Sequence, residues 1–410
     1  MRQSARMQRI LLVYFDAGGG HRAAATSLQT VMQRQEVSWS VELLNLQETL
    51  DPIDVVRKVT GIRIQDVYNR MLRNGWTLGS PQLMRALQAL IWVCHGQTVR
   101  LLEKQWAQLQ PDLVVSLVPH FNRAMCESLG KACPGKPFVT ALTDLADYPP
   151  HFWIERQKQY LICGTEKAVQ QAHELGHGDE DIFRTSGMIL GPQFYGYQPI
   201  DRAREREKLG LDPARQTGLV LFGGQGAYKK MMAIDERLGR SSLAIQLIFI
   251  CGKNEELARA LGARRASIPR FIEGFTTNIP YYMQVSDFFI GKPGPGSVAE
   301  AMAMDLPVIV ERNAWTLPQE RYNTEWVRER QVGLVLNNFS GIVEAVTELL
   351  EPENFRRCRQ NAAGMQNRAL FEVPAMLQRI LKLSGELLGV GGALEMNGTP
   401  RNQSAIRGQS

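Results

Sequence analysis

The chain has 410 residues, is 44% hydrophobic and 21% charged, and carries a formal net charge of +6. These are the proportions of a soluble globular protein of two or three domains. No apolar run approaches the roughly 20 residues of a membrane-spanning helix; the longest, 83–94, is interrupted by Arg85.

In chain order, the start is basic and then apolar, but the apolar part spans only Ile10 to Phe15 before Asp16. A first strand over 9–15 is expected rather than a secretory leader. Gly18-Gly19-Gly20-His21 follows, and then Ala24, Leu28 and Val31 at helical spacing. Bare backbone admits a close-lying substrate, and the free N–H groups of a helix start favour an anion. The motif is neither a Walker A loop nor G-x-G-x-x-G, which argues against ATP and NAD. His21 can take a proton from a hydroxyl; a tight turn with a capping histidine is the plainer alternative.

Residues 57–104 hold eight basic and two acidic side chains, a surplus equal to that of the whole chain, interleaved with Tyr68, Trp76 and Trp92. Such a stretch suits an anionic membrane surface or a solvated helix face. It also has the charge for nucleic acid, but no nucleic-acid reading module accompanies it. The six cysteines show no C-x-x-C pair and read as reduced, mostly buried thiols of a cytosolic protein. No His/Cys ligand cluster appears, so no metal or other cofactor is expected.

Strands are expected at 112–118, 137–143, 159–164, 218–224, 243–252, 287–292 and 306–311, mostly continuous apolar runs typical of parallel strands buried on both faces. The fold class is therefore α/β, with doubly wound parallel sheets in more than one domain. Asp144, Asp147 and His151 follow the strand ending at 143, in a loop stiffened by Pro149 and Pro150. They can orient or deprotonate an acceptor, or serve as turn residues. A helix over 165–176 should open on a Thr165 cap.

The stretch 191–216 reads as a linker and a short opening helix. Gly223 and Gly224 form a second glycine turn suited to a phosphate or sugar, with Lys229 and Lys230 as surface charge. A third turn, Gly294-Pro295-Gly296, leads to a helix over 297–305, where Ser297 and Glu300 form a capping box; a diphosphate fits its start without a metal. Gln319, Glu320 and Asn323 can read sugar hydroxyls. The tail from about Gly389 is expected to be disordered.

The residues "GGGHRAAA" (18–25), "TDL" with the following His-x-Trp (143–153), the block 271–310 and Gln319-Glu320-x-x-Asn323 together resemble the monogalactosyldiacylglycerol synthases and processive diacylglycerol β-glucosyltransferases, over about 8–385. The resemblance implies a GT-B architecture of the glycosyltransferase family 28 kind: two Rossmann-like domains facing across a cleft. It implies an acceptor domain over 1–195, with 57–104 associated with membrane and acceptor, and a UDP-sugar domain over 196–388. The implied activity is inverting transfer of a hexose from a UDP-sugar to a membrane lipid, giving a β-glycosyl lipid, by a protein peripheral on the cytoplasmic face of the cell membrane.

His21 or Asp144 would be the base, with Gly19, Gly20 and His151 on the acceptor side. Gly223, Gly224, Phe275, Gly294, Pro295, Gly296, Ser297, Glu300, Gln319, Glu320 and Asn323 would hold the UDP-sugar: Phe275 the uracil, Glu300 the ribose, and the 294–297 turn the diphosphate. Pro119-His120 and Pro293 depart from the family's usual pattern. Alternatives are a related enzyme on another acceptor, an epimerase-like enzyme of soluble UDP-sugars, or a non-catalytic nucleotide-sugar binder.

Overall fold

The computed structural model describes residues 7–16, 19–34, 39–53, 88–265 and 267–395. Gly18, the basic residues at 57, 58, 63, 70, 73 and 85, and the tail from 396 lie outside the described residues.

Two six-stranded parallel sheets are present. The first joins β1 (Gln8–Tyr14), β2 (Trp39–Asn45), β3 (Leu113–Ser116), β4 (Phe138–Ala141), β5 (Tyr160–Cys163) and β6 (Ile182–Arg184) in the order β2-β1-β3-β4-β5-β6. The second joins β7 (Gln216–Leu221), β8 (Ile245–Ile250), β9 (Arg270–Glu273), β10 (Phe288–Gly291), β11 (Val308–Glu311) and β12 (Gly333–Leu336) in the order β12-β11-β10-β7-β8-β9. Strand direction of travel reverses between β1 and β3 in one sheet and between β7 and β10 in the other. Such switch points open a crevice at the carboxyl ends of the strands. The turn at 19–21 follows β1; those at 223–224 and 292–297 follow β7 and β10. All three glycine turns thus flank a switch point.

Helices cover both sheets. In chain order they are α1 (Gly20–Gln33), α2 (Leu46–Leu50), α3 (His95–Leu109), α4 (Asn122–Ala132), α5 (Glu166–Glu174), α6 (Arg202–Lys208), α7 (Tyr228–Gly239), α8 (Glu255–Ala263), α9 (Ile279–Val285), α10 (Pro295–Ala303), α11 (Pro318–Glu329), α12 (Ile342–Leu350), α13 (Pro352–Ala363) and α14 (Ala369–Glu395). Local chemistry explains many ends. Thr165 caps α5, its hydroxyl accepting from the Ala168 N–H at 3.2 Å, and Gly176 beyond it adopts φ 92°. Asp201 and Asn254 cap α6 and α8 in the same way.

Two expectations need correction at the C-terminus. Residues 369–388 do not pack with the second sheet: Leu370, Val373, Leu377 and Ile380 share a core with Ile10, Leu12 and Leu28 of the first. The chain crosses back because α14 carries an apolar stripe that only the first domain covers. That helix also runs on to Glu395, so 389–395 are helical rather than disordered.

The two halves meet through Leu145 and Ala146, which join the apolar cluster containing Val298 and Tyr322, and through Tyr148 and Tyr322, whose rings lie 6.0 Å apart. The crossing is pinned by the Asn367 amide donating to the Met188 carbonyl at 2.8 Å and by the Ser186 N–H donating to Glu372 at 2.7 Å.

Candidate active site

The first half of the site is built on the loops after β1 and β4. Gly19 caps α1 with φ 85°, a left-handed conformation that costs glycine nothing. The α1 start has neither a side-chain cap nor an acidic residue in its first turn, and a Cβ at Gly19 or Gly20 would meet open space. His21 follows, its Nδ1 2.9 Å from Thr143 Oγ1 and its ring 5.8 Å from that of Trp153. Burial pushes this imidazole down to about 4, against a small opposing pull from the Leu117 backbone. It is uncharged at neutral pH.

Asp144 is buried, and Trp153 Nε1 donates to its Oδ2 at 2.8 Å. Burial pushes its carboxyl up to about 7; the indole hydrogen bond pulls the other way, Glu320 adds to the rise and Lys292 opposes it. Glu320 and Lys292 belong to the second half, so this carboxylate feels both domains. Trp153 is the common neighbour of His21 and Asp144.

Asp147 has a structural role. Its two oxygens accept the backbone N–H groups of Trp153 at 2.6 Å, His151 at 3.0 Å and Ile154 at 3.4 Å, which shapes the loop. His151 does not join His21. It is exposed at φ 63°, 3.7 Å from Glu155, and lines an outer cavity of about 410 Å3 with Arg123, Cys126 and Arg156. The loop held by Asp147 turns this ring away from the group around Trp153.

The second half is built around β7, β10 and β11. Gly223, at φ 76°, opens the turn after β7, and a Cβ there would lie 3.6 Å from Lys292 Cε. After β10, Gly294 caps α10 and Pro295 occupies its first turn, with no side-chain cap and no acid there. The expected capping box between Ser297 and Glu300 is not formed: the helix begins two residues earlier, because the fixed φ of proline fits a first helical position. Gly296 faces open space. Glu300 has no hydrogen-bond partner among the described residues, and burial raises its carboxyl to about 7.

Glu320 is buried and pairs with Lys292, Nζ to Oε1 2.9 Å. The glycine at 294 lets the two approach: a Cβ there would come within 3.2 Å of Lys292 Cε. Lys230 pairs with buried Glu311 and lies within electrostatic reach of Glu320 and Lys292; burial lowers its ammonium. Lys230 is thus more than surface charge, although its side chain is 40% exposed. Asn323 is fully buried, and its amide donates to the Pro293 carbonyl at 2.7 Å, holding the turn before α10. Gln319 is buried in the first turn of α11. Phe275 stands apart, 58% exposed, with Lys253 Nζ 5.4 Å over its ring.

Sequence reasoning missed Lys292, Lys230, Glu311, Thr143 and Trp153. Lys292 had a signal, since it lies between a buried strand and a glycine turn. Trp153 and Thr143 were within the quoted motif without a role. Glu311 ends a strand and gave none. Among the described residues, no three His, Cys, Asp or Glu side chains group as metal ligands.

Residues 218–372 match the Glycosyltransferase family 28 C-terminal domain. The chain is 26% identical over 366 residues to the chloroplastic monogalactosyldiacylglycerol synthase of Spinacia oleracea, covering 84% of this chain and 67% of that protein. It is 25% identical over 410 residues to monogalactosyldiacylglycerol synthase 2 of Arabidopsis thaliana, covering 94% and 83%. Among solved structures, S. aureus MnaA with UDP aligns over 92% of this chain and 98% of its own, with a TM-score of 0.58 at 15% identity. Acinetobacter baumannii MurG aligns over 91% and 99%, with a TM-score of 0.58 at 14% identity.

Proposed function

We infer that this chain, a UDP-sugar hexosyltransferase of GT-B fold with a family 28 C-terminal domain, transfers its hexose to the hydroxyl of a membrane lipid. Diacylglycerol is the acceptor to which the relatives' names point. The observation that carries the reading is Asp144: a buried carboxyl at about 7 in one domain, within electrostatic reach of Lys292 and Glu320 in the other. A base is most effective when its pKa lies near the working pH. His21, at about 4, is the weaker base. It stands at the uncapped α1 start as an uncharged hydrogen-bonding group.

The reaction is a single displacement. Asp144 takes the acceptor's hydroxyl proton, and the oxygen bonds to the anomeric carbon on the face opposite the diphosphate. The bond from that carbon to the phosphate oxygen breaks, and UDP leaves with the electron pair. An α-linked donor gives a β-linked lipid. The N–H groups at the α10 start around Gly296 and Ser297, with the Gly223-Gly224 turn and the Lys292 ammonium, oppose the charge that develops on the diphosphate. Glu300 receives the ribose, Phe275 the uracil, and Glu320 and Gln319 the sugar. Asn323 acts through the Pro293 turn. No step uses a metal.

Docking on the cytoplasmic face of the membrane is part of the proposal. Trp92 and Val93, ahead of α3, are 75% and 72% exposed, and Arg100 and Lys104 are exposed on α3. Among the described residues no helix is long and apolar enough to cross a membrane. The test is transfer of labelled sugar from UDP-glucose, UDP-galactose or UDP-N-acetylglucosamine to diacylglycerol vesicles with and without anionic lipid, in EDTA. Labelled lipid that increases with anionic lipid supports the reading. Isomerised or hydrolysed UDP-sugar without labelled lipid would replace it with a soluble sugar-nucleotide activity.

A further inference from the structure

Away from the glycine turns, a groove of about 840 Å3 runs along the crossing between the domains. It lies within the range of roughly 300–1,000 Å3 in which small-molecule sites fall. Its walls come from four places: Val31 and Arg34 at the end of α1, Phe194 and Tyr195 of the linker, Met302 and Asp305 at the end of α10, and the segment from Ala363 to Phe371 that leads into α14. We propose that this groove binds a single-chain anionic amphiphile, and that the bound amphiphile tightens UDP binding in the cleft.

The chemistry of the walls selects the occupant. Val31, Phe194 and Met302 are buried apolar side chains, and Phe371 is 42% exposed, an open aromatic surface packed edge-on against Tyr195 at 5.0 Å. Tyr195 keeps a buried hydroxyl with no hydrogen bond among the described residues, although the backbones of Leu190 and Leu370 run close by. Arg34 and Arg368 are exposed on the lining, and neither guanidinium has an ion pair among the described residues. The lining's carboxylate, Asp305, is offset by nearby Arg359. An apolar trough with two unengaged guanidinium groups is complementary to an alkyl chain ending in a phosphate or carboxylate.

Coupling follows from which elements form the walls. α1 begins at Gly20 and His21 and ends at the groove; α10 begins at Pro295 and Gly296 and also ends at the groove. Cleft and groove therefore sit at opposite ends of the same two rods. A rotation that opens the cleft narrows the groove, so a filled groove resists opening. Ligands that prefer the closed arrangement then favour one another. The inference requires the UDP site but not the lipid-acceptor reading.

The test is calorimetric titration of the full chain with dodecyl phosphate below its critical micelle concentration, with dodecylphosphocholine as the control lacking net negative charge. One saturable dodecyl phosphate site is expected, with weaker binding of the control. Affinity should fall at least tenfold in Ala363→Trp, which fills the groove from an exposed position, and in the double variant Arg34→Gln/Arg368→Gln. The arginine double variant should bind UDP alone as the wild type does, and Ala363→Trp, whose indole itself fills the groove, should bind UDP at least as tightly, showing that both are folded. Dodecyl phosphate should lower the Kd for UDP at least fivefold in the wild type and leave it unchanged in Ala363→Trp. Absence of a saturable site, equal binding in the variants, or an unchanged Kd for UDP would each overturn the proposal.

Discussion

The starts of α1 and α10 are alike in backbone and opposite in surroundings. Each follows a strand beside a switch point, opens on glycine, lacks a side-chain cap and has no acid in its first turn. Either could receive an anion on backbone terms alone. The side chains separate them. Behind α10 stand two ammonium groups, Lys292 and Lys230, ion-paired with Glu320 and Glu311. Behind α1 stand an imidazole kept uncharged and a carboxyl kept near neutrality, both against Trp153. One start suits binding of a leaving group; the other suits removal of a proton. On the proposed reading, two copies of one backbone device would serve as donor and acceptor sides, told apart by a few neighbouring side chains.

Substitutions can break this contrast, and the largest effect is expected at Asp144. Asp144→Asn should reduce transfer by about 10²–10⁴-fold and leave UDP affinity within about twofold by calorimetry. The same variant should gain stability at alkaline pH. Folding raises this carboxyl from 3.8 to about 7. Below about 4 both states hold the proton, so the substitution is neutral. Between 4 and 7 the unfolded chain ionises first and the buried carboxyl costs stability; above 7 the full cost applies, at ~1.4 kcal/mol per unit. Thermal melts should show Asp144→Asn above the wild type at pH 8 and level with it at pH 4.

Next in size, Gly296→Ala should raise the KM for UDP-sugar by about tenfold or more, since its methyl would occupy the open space proposed for the diphosphate. Its melting temperature should stay level or rise, because alanine favours a helix over glycine by up to ~1 kcal/mol. Gly20→Ala should leave UDP affinity alone, and equal effects at the two glycines would erase the contrast. Glu300→Gln should weaken UDP roughly tenfold, the size of one hydrogen bond to a charged group, read by calorimetry. Trp153→Phe should move the acid limb of kcat/KM to higher pH, because the lost indole hydrogen bond was holding the Asp144 carboxyl down. The smallest change, within about twofold, is expected for His151→Ala in transfer assays, since its ring faces the outer cavity.

The strands show why part of the fold was legible in sequence. Every strand expected from an apolar run is present, and the four that gave no signal, β2, β6, β9 and β12, are the four sheet edges. Central strands such as β3, β8 and β10 are buried at every position. The segment "RFIE" of β9 is only partly buried throughout. An edge strand can carry charge on exposed positions, so its residues need not form an apolar run. The glycine turns, His21 and Asp144 were legible because a buried strand ends just before each. The pairings of Lys292 with Glu320 and of Lys230 with Glu311 were not, because an ion pair joins residues far apart in sequence and no local spacing announces it. The return of α14 to the first domain was hidden for the same reason: its stripe marks a buried face without naming the surface that covers it.

The most direct test of the division of labour is the pH dependence of kcat/KM for sugar transfer to diacylglycerol vesicles, measured for wild type, Asp144→Asn and His21→Ala. The account predicts an acid limb near pH 7 in the wild type, retained in His21→Ala, and transfer reduced by about 10²–10⁴-fold at every pH in Asp144→Asn despite intact UDP binding. A limb near pH 4 that disappears in His21→Ala, with transfer near the wild-type level in Asp144→Asn, would contradict it and move the base to the α1 histidine.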